Sequence, residues 1–433
     1  MKESKFLETI LNIGRKIIPK KFFKLSQPIY HYFLALLGAF IYKFPAKKIA
    51  VIGVTGTKGK STTTELVNAI LEADGKKTAL ASTIRYKIGE KEWRNMFKMT
   101  LRGRFFTQKF LSNAVNEGCN YAIIELSSEG VPQSRHKFLF LNALIFTNLA
   151  PEHIESHGSY EKYLKAKLDI AKELEKSPKK DLAIIVNADD KEGEKFLALN
   201  IKNKIPYSLN DTIGTKTTEK SSSFQIGKLV IHSKLPGIFN VSNMLGAIYC
   251  TKFFGVKDET IKKGLENIDF IRGRMEKINA GQNFEVVVDY AHTPDSLKAV
   301  YETYHRYKNI CVLGNTGGGR DKWKRTEMGK IAEKYCDQII LTNEDPYDED
   351  PMKILEDIKK GITKKSAEII IDRREAINRA LKIASLEPDN KNVAVLITGK
   401  GTDPYIMEAN GKKTPWDDAT VVREELQKII NRT

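Results

Sequence analysis

Cysteine is scarce: Cys119, Cys250, Cys311 and Cys336 are the only four in 433 residues, far apart and each in an apolar context. No zinc-ligand spacing is present, and a chain of this length needs no covalent staples. The expectation is four buried thiols in a reducing compartment rather than disulfides or a metal knot. Long hydrophobic runs are also missing. The best candidate, Ile29–Phe44 (IYHYFLALLGAFIYKF), falls short of the ~20 residues a membrane-spanning helix needs and contains His31 and Lys43. No small-residue cleavage site follows it, which argues against a signal peptide. Internal repeats, low-complexity tracts and nucleic-acid recognition motifs are absent, so nucleic acid is not an expected partner.

What is abundant is positive charge, a formal net +17. It is uneven: residues 1–48 carry ten Lys/Arg against two Glu, a net +8. An excess of this kind suits an anionic membrane surface or phosphorylated substrates. Residues 1–47 read as a basic, aromatic helical segment that either lies on an anionic membrane face, as a peripheral contact, or packs on the next domain.

From Lys48 onward, short β-branched runs (IAVIGVT, YAIIELS, ALIFTNL, DLAIIVNA) alternate with helical patterns such as Thr62–Ala73 and Tyr160–Lys176. Continuous apolar strands separated by helices predict an α/β fold with a parallel sheet covered on both faces. A polar patch, LNDTIGTKTTEKSSS, follows, and then a helix begins in GIFNVSNMLGAIYCTKFFG. The alternation restarts with FEVVVDYA, NICVLGN, DQIILTNED, AEIIIDR and NVAVLITGKG. The boundaries expected are 1–47, a P-loop ATPase-like central domain at 48–271, and a Rossmann-like α/β domain at 272–433.

Chemistry is concentrated first in VIGVTGTKGKST, residues 51–62. Glycines between a buried strand and a helix let backbone N–H groups close around a phosphate, and the helix N-terminus adds its positive end. Gly56, Thr57, Lys58, Gly59, Lys60, Ser61 and Thr62 are therefore candidates for the triphosphate of ATP, with Lys60 as a point charge and Ser61 or Thr62 positioned for Mg²⁺. Val54 stands where the usual motif has a small residue. Glu125 ends a strand from which a carboxylate reaches a metal beside that loop, His153 follows another strand, and Lys167 lies on the next helix.

In their joint order these motifs resemble the Mur ligases, ATP-dependent amide-forming enzymes of cell-wall peptide assembly, and within them the muramyl-tripeptide synthetase branch. The resemblance covers about residues 48–430. It implies that Glu125 and His153 bind Mg²⁺ and that Lys167 is carbamylated, which turns a cation into a carboxylate-like ligand. It also implies that Asn240 and Asn243 of FNVSN lie on the adenine side of ATP, and that Arg274 of GRMEKI and Asp289 of VVVDYAHTPDSL meet its ribose and polyphosphate from across a domain cleft.

On the acceptor side, SSEGVPQSR matches a family element and points to Ser127, Gln133 and Arg135, with Glu129 replacing a common histidine; Thr100 survives from a second, altered element. On the amino-acid side, Arg320 of GNTGGGRDKWKR is joined by LTNEDPYDEDP, which offers Glu344 and Asp345 and puts Tyr347 where diaminopimelate-specific members carry arginine. Asp403 belongs to the altered ITGKGTDPY. An acidic pocket without that arginine suits a side-chain amine, so lysine and ornithine stand beside diaminopimelate.

The resemblance implies a monomeric, cytoplasmic enzyme, membrane-associated if the first segment touches lipid. Its acceptor is a nucleotide-sugar peptide or, since the family's uridine-binding domain is not evident, a lipid-linked one. A folylpolyglutamate or cyanophycin-type ligase and a non-ligating P-loop ATPase are the alternatives.

Overall fold

The computed structural model describes residues 20–431 apart from His153; the side chains of residues 20–26, Ile154 and Ser156 are also left undescribed. After a first helix, Lys20–Ile41, the central unit is built on an eight-stranded sheet. Its strands are β1 (Ala50–Thr55), β2 (Thr78–Ala81), β3 (Arg85–Ile88), β4 (Lys91–Arg94), β5 (Tyr121–Glu125), β6 (Ala143–Phe146), β7 (Ala183–Asn187) and β8 (Asn203–Tyr207). They lie in the order β4-β3-β2-β5-β1-β6-β7-β8, with β3 antiparallel to both of its neighbours and the other pairs parallel. β1, β5, β6 and β7 are almost wholly buried because apolar clusters cover both faces, as their uninterrupted Ile/Val/Ala runs require.

From β1 the chain crosses to β2 and β5 on one side and later to β6 on the other. β1 is therefore the switch point of the sheet, and the crevice beyond its carboxyl end is where open α/β sheets bind ligands. The helix that follows runs Lys60–Ala73 and the later one Tyr160–Glu175, each within two residues of the sequence expectation.

The polar patch is not a loop. It folds into β9 (Ile213–Thr217) and the start of β10 (Ser222–Ile226), which with β11 (Leu229–Ser233) form a three-stranded antiparallel sheet. Alternate residues of β10 and β11 are buried, so one face packs while the other is solvated.

The second unit has β12 (Glu276–Lys277), β13 (Glu285–Asp289), β14 (Lys308–Leu313), β15 (Gln338–Leu341), β16 (Ala367–Ile369) and β17 (Val393–Thr398), ordered β12-β13-β17-β14-β15-β16. All but β12 run parallel, again with an apolar cluster on each face. Here the cysteine expectation is corrected: Cys311 on β14 and Cys336 form a disulfide, while Cys119 and Cys250 are free and buried. The parallel crossover returns the chain beside β14, where Asp337 N–H donates to Asn309 O at 2.8 Å. That return, invisible in the sequence spacing, brings the two sulfurs together.

The last helix, Asp418–Ile430, is tied to this sheet by a fully buried ion pair. Arg373 Nε and Nη2 donate to Asp418 Oδ1 and Oδ2 at 2.8 and 2.7 Å, and Trp416 Nε1 donates to Oδ1 at 2.8 Å. Removing one partner leaves a buried guanidinium unpaired. Asp418→Ala is expected to cost about 3–5 kcal/mol, read as a lower urea midpoint; a change under about 1 kcal/mol, the range of exposed pairs, would show that the pair does not anchor the helix.

Candidate active site

The loop after β1 is shaped by close approach. Gly56 (φ +147°) and Gly59 (φ +80°) have backbones that L side chains rarely adopt, and a Cβ on them would lie 1.9 Å from Thr147 Oγ1 and 2.2 Å from Asn243 Oδ1. The crossing strand pins the loop from beneath. Lys58 N–H donates to Asn148 Oδ1 at 2.9 Å and Thr147 Oγ1 to Lys58 O at 2.7 Å. The helix Lys60–Ala73 opens at Gly59, so its free N–H groups face the crevice. Lys60, half-buried, donates to Thr57 O at 2.8 Å, and desolvation pushes its pKa down against the pull of Glu125 and Glu152.

Beside this loop, Glu125 Oε2 accepts from Ser61 Oγ at 3.0 Å and from Thr83 N–H at 2.8 Å. A buried carboxylate and a hydroxyl in contact at a phosphate loop are hard oxygen donors, the kind Mg²⁺ takes. Lys167 lies behind the loop, fully buried, donating to Gly56 O at 2.7 Å. Burial, reinforced by the charge of Lys60, pushes its pKa well below the usual lysine range. An ammonium does not ligate a cation; a neutral amine can take up carbon dioxide, and the resulting carbamate fits a metal. His153 lies outside the described residues. Among the described residues no group of three His, Cys, Asp or Glu is gathered as a metal site.

The second sheet supplies the opposite wall of a cavity of about 550 Å³. Asp289, at the end of β13, accepts from the N–H groups of Met275 and Ala291, each at 2.7 Å; burial pushes its pKa up and Arg274 opposes the shift. Arg274 stacks over Tyr290 with its guanidinium carbon 4.5 Å from the ring centre, and its Nη2 reaches Ser61 Oγ at 3.4 Å. Asn243 Nδ2 donates to Asn240 Oδ1 at 3.2 Å, and Asn240 in turn to Pro236 O at 2.7 Å.

Thr100 and Ser127 line the same cavity. Gln133 and Arg135 do not; they pair with each other, Nη2 to Oε1 at 2.6 Å, and Arg135 also donates to Leu101 O at 2.6 Å. Arg320, Glu344, Asp345, Tyr347 and Asp403 all reach the wall. The acidic pocket expected there is partly neutralised. Asp345 and Asp403 share Lys98, at 2.5 and 2.9 Å, and Lys400, at 2.9 and 3.2 Å. Glu344 differs: Oε1 accepts from Thr316 Oγ1 at 2.7 Å, while Oε2 is buried without a hydrogen-bond partner among the described residues. Arg320 meets Glu129 across the cleft at 3.3 Å.

Residues 54–251 match the Mur ligase middle domain and residues 273–401 the Mur ligase glutamate ligase domain. The UDP-N-acetylmuramoyl-L-alanyl-D-glutamate–2,6-diaminopimelate ligase of Syntrophomonas wolfei is 36% identical over 412 residues, covering 91% of this chain and 81% of that one. The chain belongs to the Mur ligase family. A solved structure of an enzyme of the same name superposes with a TM-score of 0.60 at 28% identity, over 88% of this chain and 79% of that one. A folylpolyglutamate synthase of Mycobacterium tuberculosis gives 0.68 at 14% identity, over 95% and 99%, a likeness of fold alone.

For a Mur ligase, an ADP-forming acid–amino-acid ligase, the cleft holds a group that motif reading passed over. Glu152 accepts from Lys58 Nζ at 2.9 Å and faces His292 Nε2 at 3.0 Å, while His292 Nδ1 is 2.7 Å from Tyr290 O and Lys324 Nζ donates to His292 O at 3.1 Å. Desolvation and Lys58 push the His292 pKa down, with Glu152 opposing. His292 stands in the quoted DYAHTP turn and Glu152 just before His153, so proximity to chosen residues was the available signal. The tight fit at Gly59 yields a direct test. Gly59→Ala forces Asn243 or the loop aside, and ATP affinity measured by calorimetry is expected to fall at least tenfold, about 1.4 kcal/mol; unchanged affinity would show that the loop does not hold the phosphates.

Proposed function

We propose that this Mur ligase adds a diamino acid to the free carboxylate of a muramyl-peptide carried on a nucleotide sugar, in cell-wall precursor synthesis. The observation that carries the reading is a cavity shared by both units. Its wall joins the phosphate loop and Glu125 of the first unit to Arg274, Glu344 and Arg320 of the second.

The backbone of Gly56–Thr62 holds the ATP phosphates, and Lys60 and Arg274 neutralise charge that builds as the γ-phosphoryl group leaves ADP. The acceptor carboxylate attacks that phosphorus to give an acyl phosphate and ADP. The amine then attacks the acyl carbon, phosphate departs, and a proton is released. Ser61, Glu125 and Lys167 as its carbamate, with His153, would hold Mg²⁺, which supplies charge neutralisation at the phosphate oxygens. Thr100 and Ser127 line the acceptor side, and the unpaired oxygen of Glu344 suits the incoming amine. Among the described residues one chain provides the walls of the site, which supports a monomer.

The test is ADP release by purified protein with UDP-linked muramyl-dipeptide and a panel of lysine, ornithine, diaminopimelate and glutamate. Release that depends on a diamino acid is expected, glutamate being inert. Release that no amine accelerates would sink the ligase reading, and stimulation by glutamate alone would move it to the folylpolyglutamate type. Lys60→Ala should lower kcat by about 10²–10³, as for one preorganised donor. Activity is expected to drop in buffer stripped of carbon dioxide and to return with bicarbonate, and Lys167→Ala should lose both the activity and the bicarbonate response; indifference of the wild type to bicarbonate would remove the carbamate.

A further inference from the structure

We propose that the outward face of the helix Lys20–Ile41 seats this protein on an anionic lipid bilayer, with the helix lying in the plane of the interface. The helix is packed with its small residues inward. Ala35 and Ala39 are 2% and 0% exposed, and a Cβ on Gly38 would lie 3.5 Å from Phe105 of the neighbouring helix Arg104–Asn116. Bulky side chains point the other way: Ile29 is 61%, Phe33 61% and Phe40 70% exposed, with Leu37 and Ile41 also in solvent. Positions 29, 33, 37 and 40 follow helical spacing and so form one stripe. A helix in water buries such a stripe; here it is presented outward, the mark of an interaction surface.

The charge selects the occupant. Lys43, Lys47 and Lys48 are exposed at the end of the stripe, and residues 1–48 hold ten Lys/Arg against two Glu. A second copy with the same excess is repelled, whereas an anionic bilayer gains both terms: apolar burial and attraction of each lysine. No helix among the described residues is long and apolar enough to cross a membrane, so the contact is lateral. The helix is also held firmly. The rings of Tyr32 and Phe44 pack on Phe138 at centroid distances of 5.4 and 6.4 Å, which fixes the stripe relative to the body. This surface is separate from the ligase cavity and does not rest on the proposed reaction.

The full chain is spun with sucrose-loaded vesicles of phosphatidylcholine, with and without phosphatidylglycerol. It is expected to sediment with the anionic vesicles, less so in high salt, and to stay in solution with phosphatidylcholine alone. Phe33→Ser with Phe40→Ser should weaken partitioning about tenfold or more while Tm and ATP affinity hold. Should that variant misfold, Lys43→Gln with Lys48→Gln touches only exposed charge and should still lower binding, by about fivefold per lysine. A wild-type chain that stays in the supernatant with anionic vesicles overturns the proposal. So does a dimer in sedimentation velocity that the Phe33/Phe40 variant dissociates, since the stripe would then be a self-interface.

Discussion

Two amines placed under one backbone loop set the terms for the rest of the molecule. Lys60 caps the carbonyl of Thr57 and Lys167 that of Gly56, and among the described residues neither is in an ion pair. Burial lowers the stability of the charge on both; the charge of Lys60 adds to this at Lys167, and those of Lys58 and Arg274 add to it at Lys60. Desolvated like charges of this kind cost several kcal/mol unless something negative joins them. The N–H groups of the loop, the helix N-terminus and Lys60 together suit an anion. For Lys167 another way to relieve the cost exists, loss of its proton, since burial lowers its pKa well below the usual lysine range.

The same economy extends across the cleft. The pairs that join the two units are ionic or polar: Arg94–Asp417 at 2.8 Å, Lys98–Asp345 at 2.5 Å, Glu152–His292 at 3.0 Å and Arg320–Glu129 at 3.3 Å. These charged contacts run between the units beside one apolar contact, Phe239 of the central unit against the cluster under the second sheet, whereas the four apolar clusters otherwise lie within the units. Arg274 shows what the arrangement achieves. Carried on the second unit, it reaches Ser61 of the first, so its guanidinium stands beside the loop only when the units are together.

How much of this was legible depended on the range of the interaction. Uninterrupted apolar strands such as AVIGVT and VAVLIT announce a covered parallel sheet on their own, and both sheets are present. The hairpin strands RYKI and KEWR, and β9 with its exposed IGTKT, bury too few side chains to carry a pattern. Cys311 and Cys336 failed for another reason: their meeting is decided by a crossover, not by local composition. Glu125 beside Ser61 could be expected from a strand end next to a phosphate loop, whereas the role of Lys167 came from family resemblance, since a lysine inside an amphipathic helix reads as solvated. Lys98 and Asp345 are 247 positions apart, and nothing in either neighbourhood pairs them.

That last pair alters the logic of amino-acid selection. With Tyr347 in place of an arginine, residues 344–348 alone describe an acidic pocket. In the folded chain Lys400, from the same unit, and Lys98, from the other, each contact Asp345 and Asp403. Two carboxylates between two ammonium groups are close to neutral, which leaves Glu344 as the charge that a ligand amine would meet. Because Lys98 arrives from the central unit, this balance exists only in the assembled cleft. Were the units to part, the two acids would be left with one lysine and the pocket would gain one net negative charge. The charge balance of this pocket is thus tied through Lys98 to the same approach of the two units that brings Arg274 to Ser61.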